Sequence, residues 1–455
     1  MAAPIHADEH QLLLEEGAQP AGGAGRKVRG LVAAGALLGL AAAGTAASFA
    51  GAFSAQHPGV ATSSAAQRGL VAEFEDTGIF GNLSAFLEFP RGIGSDGLSK
   101  ATLEGMFDGV MEKTGASSNL TKSEAAAYKG RFVDAVLNSA GDSAMETAQT
   151  AIMEEKPVMP EKMAAAINAA DLGYTVKPVA TTVAAAKVLL GLRVPRDLKL
   201  EQPARTRAVF PETFDAREAW PRCAGVIGRV YNQGHCGSCW AFSALQALDS
   251  ALCIADPRFN ESDSSLSRGF TASCVYDRDG CQGGYPPDAW EYVQDTGSIP
   301  STACVPYFAE GAGSEHFQKN GHSPECPSTC ATGSGLSWSS SLYRPLNAGL
   351  GGAEYSSFRY MKKLLFERGP VSMGMPASFL SSYKSGVWSA GCGTQPNHAV
   401  TAIGYSGDDY VVVMNSWGAE WGDKGTFKGD PCVISVFWKM GKIDMDAKGY
   451  VFASA

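Results

Sequence analysis

All eleven cysteines of this 455-residue chain lie between Cys223 and Cys432, and none occurs in the first 222 residues. The back half can therefore be stapled by disulfides, whereas the front half depends on apolar packing alone. Eleven is odd, so in an oxidising compartment ten cysteines can pair and one is left over for chemistry. The stretch "NQGHCGSCWAF", residues 232–242, sharpens the question by placing Cys236 and Cys239 three positions apart. A zinc reading of that pair needs a second Cys-x-x-Cys or a close histidine pair, and neither follows at finger spacing.

Composition narrows the function classes. A chain that is 45% hydrophobic and 18% charged has an ordinary globular balance, and its length implies two or three regions. The formal charge of −9 leaves no basic footprint for nucleic acid. No Gly-rich phosphate loop of the Walker type is present. An enzyme acting on protein or small molecules remains.

The N-terminus bears on the compartment. Arg26, Lys27 and Arg29 precede a stretch from Leu31 to Ala55 without a charged residue, and the next charge is Arg68. Roughly 20 apolar residues suffice to span a bilayer. Much of this stretch is Ala and Gly, which lowers its insertion energy. The asymmetry of basic residues predicts a cytosolic tail over 1–30, a type II signal anchor over 31–55 and a lumenal remainder. The competing reading is a cleaved signal peptide and secretion, with Ala50 and Ala52 at a small-residue cleavage site. "DEHQLL", residues 8–13, resembles an acidic dileucine signal, which points to an endolysosomal or vacuolar destination. Asn82, Asn119 and Asn260 open Asn-x-Ser/Thr sequons and are glycosylation candidates.

Residues 56–209 have a mixed character. Leu103, Met106, Phe107, Val110 and Met111 follow helical spacing, as do Tyr128, Phe132 and Val136. These apolar stripes read as packing surfaces. The Pro- and charge-rich passage 185–221 then predicts a domain boundary near residues 200–212.

"QGHCGSCWAF" matches the active-site motif of papain-like cysteine proteases. The resemblance extends from about Phe210 to the C-terminus through "CQGGYP" (281–286), "ERGPVSMGM" (367–375), "YKSGVW" (383–388), "NHAV" (397–400) and "NSWGAEWGDKGTF" (415–427). "FDAREAWPRC" and "CQGGYPPDAWEYV" are especially similar to cathepsin B. His398 and Asn415 follow Cys239 by 159 and 176 residues, beyond the roughly 130 to 150 usual for papain-like chains, so an insertion is implied. Read singly, a cysteine is a buried small residue, a histidine a surface or satisfied core residue, and "NSW" a turn. As one ordered set they read as a site.

The resemblance implies an α+β papain-like fold over 210–455. A helical left domain would surround Cys239, a β-rich right domain would carry His398 and Asn415, and a mostly helical propeptide would precede them over 56–209. The chemistry follows from the residue types. A thiol attacks as thiolate, and a helix N-terminus beside an imidazolium lowers its pKa. "CWAFSALQALDSAL" reads as that helix, with Phe242, Leu245 and Leu248 or Asp249 marking alternating buried and exposed turns. His398 would hold the thiolate, protonate the leaving amine and then activate water. Asn415 would orient the imidazole, and Trp417 would shield their hydrogen bond. Gln233 would supply a side-chain N–H to the oxyanion hole beside the Cys239 backbone N–H. Gly283 and Gly284, followed by Tyr285, would let an extended substrate pair with the main chain. No metal or cofactor is expected; the partners are polypeptide substrates, the propeptide and, through 31–55, a membrane.

By family similarity Cys223 pairs with Cys253, Cys236 with Cys281, Cys274 with Cys326 and Cys304 with Cys330. Cys392 and Cys432 match a pair found in papain. Cys239 is then free. Two departures from cathepsin B stand out. Residues 304–326 are shorter than its occluding loop, lack an internal cysteine pair and carry single histidines, His316 and His322. Carboxydipeptidase activity is thereby in doubt. At the pocket for the substrate residue two before the cut (P2), the cathepsin B glutamate is replaced by Phe437, five positions after Cys432, which predicts an apolar preference. The expectation is a zymogen of a cathepsin B-like endopeptidase; the alternatives are a cathepsin B-type exopeptidase and a catalytically silent papain-fold binding protein.

Overall fold

The computed structural model describes residues 99–113, 121–137, 157–203, 209–260, 264–310, 321–344, 353–441 and 443. Both helical stripes form helices, α1 (Lys100–Lys113) and α2 (Lys122–Leu137). They bury Leu103, Phe107, Met111, Phe132 and Val133, with the Phe107 and Phe132 rings 5.5 Å apart.

Residues 157–187 alternate short elements: β1 (Pro157–Met159), α3 (Glu161–Ala169), β2 (Tyr174–Val176), β3 (Val179–Thr182) and α4 (Val183–Lys187). β1 and β3 form a two-stranded antiparallel sheet. The mostly helical reading of 56–209 is thus incomplete. Three-residue strands carry too few alternations to be read from periodicity, and tertiary pairing creates them. β2 pairs antiparallel with β9 (Tyr383–Trp388), tying this region to the sheet of the cysteine-rich half.

That half divides by secondary structure. The helices α5 (Cys239–Ala255), α6 (Arg268–Cys274) and α7 (Pro286–Thr296) come first. The strands follow, with α8 (Phe358–Arg368) between β7 (Ala353–Tyr355) and β8 (Val371–Met375). With β10 (His398–Ser406), β11 (Tyr410–Met414), β12 (Thr426–Gly429) and β13 (Val436–Lys439), the sheet runs β2-β9-β12-β11-β10-β8-β13-β7. β4 (Thr213–Asp215) also pairs with β10, and β5 (Ile299–Pro300) pairs separately with β6 (Leu342–Tyr343). β10 is buried at eight of its nine positions, as expected of a strand covered on both faces.

α5 is the hub, packed between β10, β8 and α7. Its alternating exposure was expected and is corrected: fourteen of its seventeen residues are buried. Asp249 does not mark an exposed turn. It is 1% exposed and pairs with the equally buried Arg268 at 2.6 Å. Burying charge in this way requires a partner, and Arg268 of α6 supplies it while lying 4.0 Å from the Tyr231 ring centroid.

The structure contains the five disulfides Cys223–Cys253, Cys236–Cys281, Cys274–Cys326, Cys304–Cys330 and Cys392–Cys432, leaving Cys239 as the free cysteine. Cys236 is therefore a staple and not half of a metal clip.

The expected type II membrane localisation is corrected. No helix among the described residues is long and apolar enough to cross a membrane. The apolar α5 has 17 residues, short of the roughly 20 required, and is enclosed by protein. The stretch 31–55, whose Ala and Gly give little insertion energy, lies outside the described residues, as do the tail motif, Asn82, Asn119 and His316. Asn260 is exposed on the turn after α5.

Candidate active site

Cys239 is the first residue of α5, where the Trp240 N–H of the first turn, one of the groups without an intrahelical acceptor, bonds its sulfur. The Cys236–Cys281 disulfide pins the preceding turn. The thiol is fully buried, and burial is the largest influence on it, pushing its pKa up to about 11. Backbone groups of Ala399, Gly191 and Trp240, and the charge of Arg193, pull in the opposite direction without prevailing.

His398 opens β10, where its backbone pairs with Met375 of β8. Its Nε2 lies 2.8 Å from Asn415 Oδ1. That oxygen also accepts from the Ser416 backbone N–H at 2.8 Å, so it is the acceptor and the imidazole Nε2 must be the donor. In the neutral ring, Nδ1 then carries a lone pair, and no donor among the described residues bonds it. This nitrogen can take a proton from a thiol. Trp417 stacks on the imidazole at 4.7 Å between centroids and is itself met edge-on by Trp421 at 5.1 Å. Burial drives the His398 pKa down to about 4, against upward pulls from Asn415 and the Leu189 backbone.

The Gln233 side chain is held at both ends. Its Oε1 accepts from Ser416 Oγ at 2.7 Å, and its Nε2 donates to the Cys236 carbonyl at 2.8 Å and to the Leu189 carbonyl at 3.0 Å. Ser416 was not singled out in the sequence. Its place inside the "NSW" run was the available signal, since its oxygen fixes which way the Gln233 amide points.

Residues 189–193 run across this constellation. Gly284 donates from its backbone to the Gly191 carbonyl at 2.9 Å, and Arg193 donates to the Gly284 carbonyl at 2.8 Å, forming a parallel bridge around Leu192. The absence of side chains permits it. A Cβ on Gly284 would lie 2.4 Å from the Trp240 ring, and one on Gly191 would lie 1.7 Å from the Gly237 carbonyl oxygen. Gly283 adopts φ 103°, a conformation that favours glycine.

The Leu192 side chain points toward Gly374 of β8, where a Cβ would meet Leu192 Cδ2 at 2.7 Å, Val436 Cγ1 at 3.0 Å and Trp438 at 3.2 Å. Val436 and Trp438 therefore line this pocket. Phe437 does not, and its expected place there is corrected: it is fully buried on the other face of β13, stacked on Tyr355 at 5.8 Å. Successive strand residues point to opposite faces, so an error of one position in counting from Cys432 exchanges the pocket for the core. Tyr285 borders the pocket through Trp438, whose indole N–H donates to its hydroxyl at 3.0 Å, and that hydroxyl donates to Glu354 at 2.8 Å.

Comparison with known proteins gives the family. A family model described as "Papain family cysteine protease" matches residues 210–431. Cathepsin B-like CP2 of Giardia intestinalis is 33% identical over 243 residues, 51% of this chain and 74% of that protein. The chain belongs to the papain family of cysteine proteases. Among other papain-family relatives, Cathepsin B-like protease 1 of Arabidopsis thaliana is 31% identical over 279 residues, 54% of this chain and 71% of that protein. The solved structure of proCathepsin B S9 from Trypanosoma congolense shares the fold, with a TM-score of 0.52 and 24% identity over 63% of this chain and 99% of that one. This cysteine peptidase is thus cathepsin B-like in its relatives and papain-like in its α+β architecture.

Proposed function

We propose that this chain is the zymogen of an endopeptidase that cleaves peptide bonds through Cys239, His398 and Asn415. The observation that carries the reading is the seating of residues 189–193: an extended main chain pairs with Gly284, places Leu192 in a side-chain pocket and offers the Leu189 carbonyl to Gln233. A polypeptide is what this cleft receives.

In the uncovered enzyme His398 Nδ1 takes the Cys239 proton, and the thiolate attacks the scissile carbonyl. The oxyanion is held by the Gln233 Nε2–H and the Cys239 backbone N–H. His398 then protonates the departing amine and later activates the water that cleaves the thioester. Asn415 keeps Nε2–H donating, so Nδ1 stays available, and Trp417 keeps water from that bond. Residues 56–209 act as the propeptide, released by a cut between about Arg205 and Glu212 when the pH falls. The peptidase domain is 210–455.

Two features favour internal cleavage over carboxydipeptidase action. The occupying chain runs through the site and onward, with the Glu201 backbone donating to the Glu354 carbonyl at 2.7 Å. His322 is paired with Asp279, whose other oxygen accepts from the Ser323 backbone and hydroxyl. It is engaged in holding its own loop. The Leu192 pocket, floored by Val436 and walled by Trp438, favours an apolar P2 residue.

An active-site-directed epoxide tests the reading. The matured protein is expected to be labelled at Cys239 and to hydrolyse peptides. Cys239→Ser and His398→Ala each abolish turnover while the protein still folds, because the pair works as a unit. Substantial turnover in either variant, or an unlabelled Cys239, would leave a silent binding protein as the better reading.

A further inference from the structure

We infer that Tyr307 is a positioning residue for the oxyanion site, bracing both of its donors through one hydroxyl. The inference rests on the peptidase reading and on the donor pair Gln233 and Cys239 N–H. Tyr307 Oη donates to the Gln233 backbone carbonyl at 2.8 Å and lies 2.6 Å from Ser238 Oγ. A phenol has one proton, and here it is given to Gln233, so Ser238 must donate to Tyr307. The result is a directed chain, Ser238 Oγ–H to Tyr307 Oη–H to the Gln233 carbonyl. Its ends belong to the residue that carries one donor and to the residue immediately before the other.

Ser238 supports this reading by what it does not do. It occupies the N-cap of α5, where a serine hydroxyl ordinarily accepts from a first-turn N–H, yet it makes no such bond. Its side chain is fully buried and turned to Tyr307 instead. Ala241 donates to the Ser238 carbonyl at 2.9 Å, and the Trp240 and Cys239 N–H groups are left to the sulfur and the oxyanion.

The loop that brings Tyr307 in is anchored independently. The Cys304–Cys330 disulfide holds its base. The Tyr307 ring meets Phe242 of α5 edge-on at 4.8 Å. The Ala309 carbonyl presses on the turn after Gln233 so closely that a Cβ on Gly234 would lie 2.2 Å from it. This is the start of the stretch 304–326, considered in the sequence solely for carboxylate recognition. Here it sets the separation of two N–H groups that must lie about 2.7–3.1 Å from an oxygen that exists only during reaction. Loosening the brace weakens transition-state binding and leaves the Gly284 pairing and the Leu192 pocket untouched.

Tyr307→Phe removes the hydroxyl and keeps the ring contact with Phe242. In the full chain after maturation, kcat per titrated active site should fall about tenfold, less than the roughly 10²–10³ for loss of a donor, with KM within about twofold. The affinity of a peptide aldehyde, whose adduct with Cys239 places an oxygen between the donors, should fall by the same factor. Ser238→Ala should behave alike, and the double variant should be little worse than either single one, because one chain is broken in all three. Unchanged kcat and aldehyde affinity in Tyr307→Phe, a loss confined to KM, or fully additive losses would overturn the assignment. If Tyr307→Phe does not fold, the kcat and aldehyde affinity of Ser238→Ala decide in the same way. A wild-type protein that neither titrates nor turns over peptide would instead remove the peptidase reading beneath it.

Discussion

The side-chain amide of Gln233 donates to the backbone carbonyl of Leu189 at 3.0 Å. The group expected to stabilise an oxyanion is thus satisfied by a carbonyl from outside the family-matched residues 210–431. Burial pushes the Cys239 thiol up and the His398 imidazole down, toward their neutral forms, while Gly191 and Arg193 of the same segment pull the thiol the other way.

Gly191 is the point where this covering is closest. A Cβ there would lie 1.7 Å from the Gly237 carbonyl oxygen, and backbone cannot yield as a side-chain tip can. Overpacking of this kind costs typically about 1–3 kcal/mol, so Gly191→Val should weaken the covering about 10- to 100-fold. In the full-length chain at neutral pH, epoxide labelling of Cys239 should accelerate accordingly. Labelling at the wild-type rate would mean that the segment has another way past the thiol.

Acid should favour release. In a Cys239→Ser chain, where no thiol can give its proton to the ring, covered His398 stays neutral down to about pH 4, whereas an uncovered imidazole has the ordinary value of 6.5. Between those values the uncovered state binds the additional proton. Covering is therefore at full strength above about pH 6.5 and weakens as pH falls toward 4, by up to about 3 kcal/mol. Limited proteolysis of residues 189–193 in Cys239→Ser should show increasing exposure across that window. Adding His398→Leu should remove most of the dependence, and an identical profile in both would assign it to other groups.

Specificity should follow Val436 rather than Phe437. A leucine buried against Gly374, Val436 and Trp438 gains roughly 1.5–3 kcal/mol, whereas a guanidinium there is desolvated without a partner. Comparing kcat/KM for peptides with Leu or Arg at P2 and Arg before the cut, the wild type should favour Leu at least about tenfold. Val436→Glu should reverse the order. Equal turnover by the wild type would point to Glu354, which faces Tyr285 beside this pocket.

The Asp249–Arg268 pair should be a stability determinant with little influence on chemistry. Asp249 also accepts from the Leu266 backbone N–H at 3.0 Å, and removing Arg268 leaves its carboxylate buried and uncompensated. Arg268→Ala should cost about 3–5 kcal/mol and lower the melting temperature by on the order of 10 °C. Kinetic constants per titrated site should stay close to wild type. A shift below about 2 °C would show that water or a neighbouring cation replaces the guanidinium.

Much of the site is legible along the chain because its parts are short, local and ordered. "CGSCW" starts a helix at Cys239, "GG" permits close main-chain approach, and "NSW" places an amide, a hydroxyl and an indole in consecutive positions. What is not legible depends on period and on long-range contact. Whether residue 436 or 437 faces the pocket turns on one step of strand register, which counting from a cysteine cannot resolve. Asp249 looks solvent-exposed on a helical pattern, because only the arrival of Arg268 from another helix permits its burial. The strands of residues 157–182 are too short to show an alternation and exist through their pairing partners. The sequence by itself determined the residue types of the chemistry, their order and the helix that presents the thiol, since these are set by local propensity and spacing. Only the tertiary structure decided that Gly191 and Leu189 lie on Cys239 and Gln233, and that Tyr307 joins Ser238 to Gln233. These contacts join residues up to 74 positions apart, and no local pattern encodes which distant backbone will meet a given side chain.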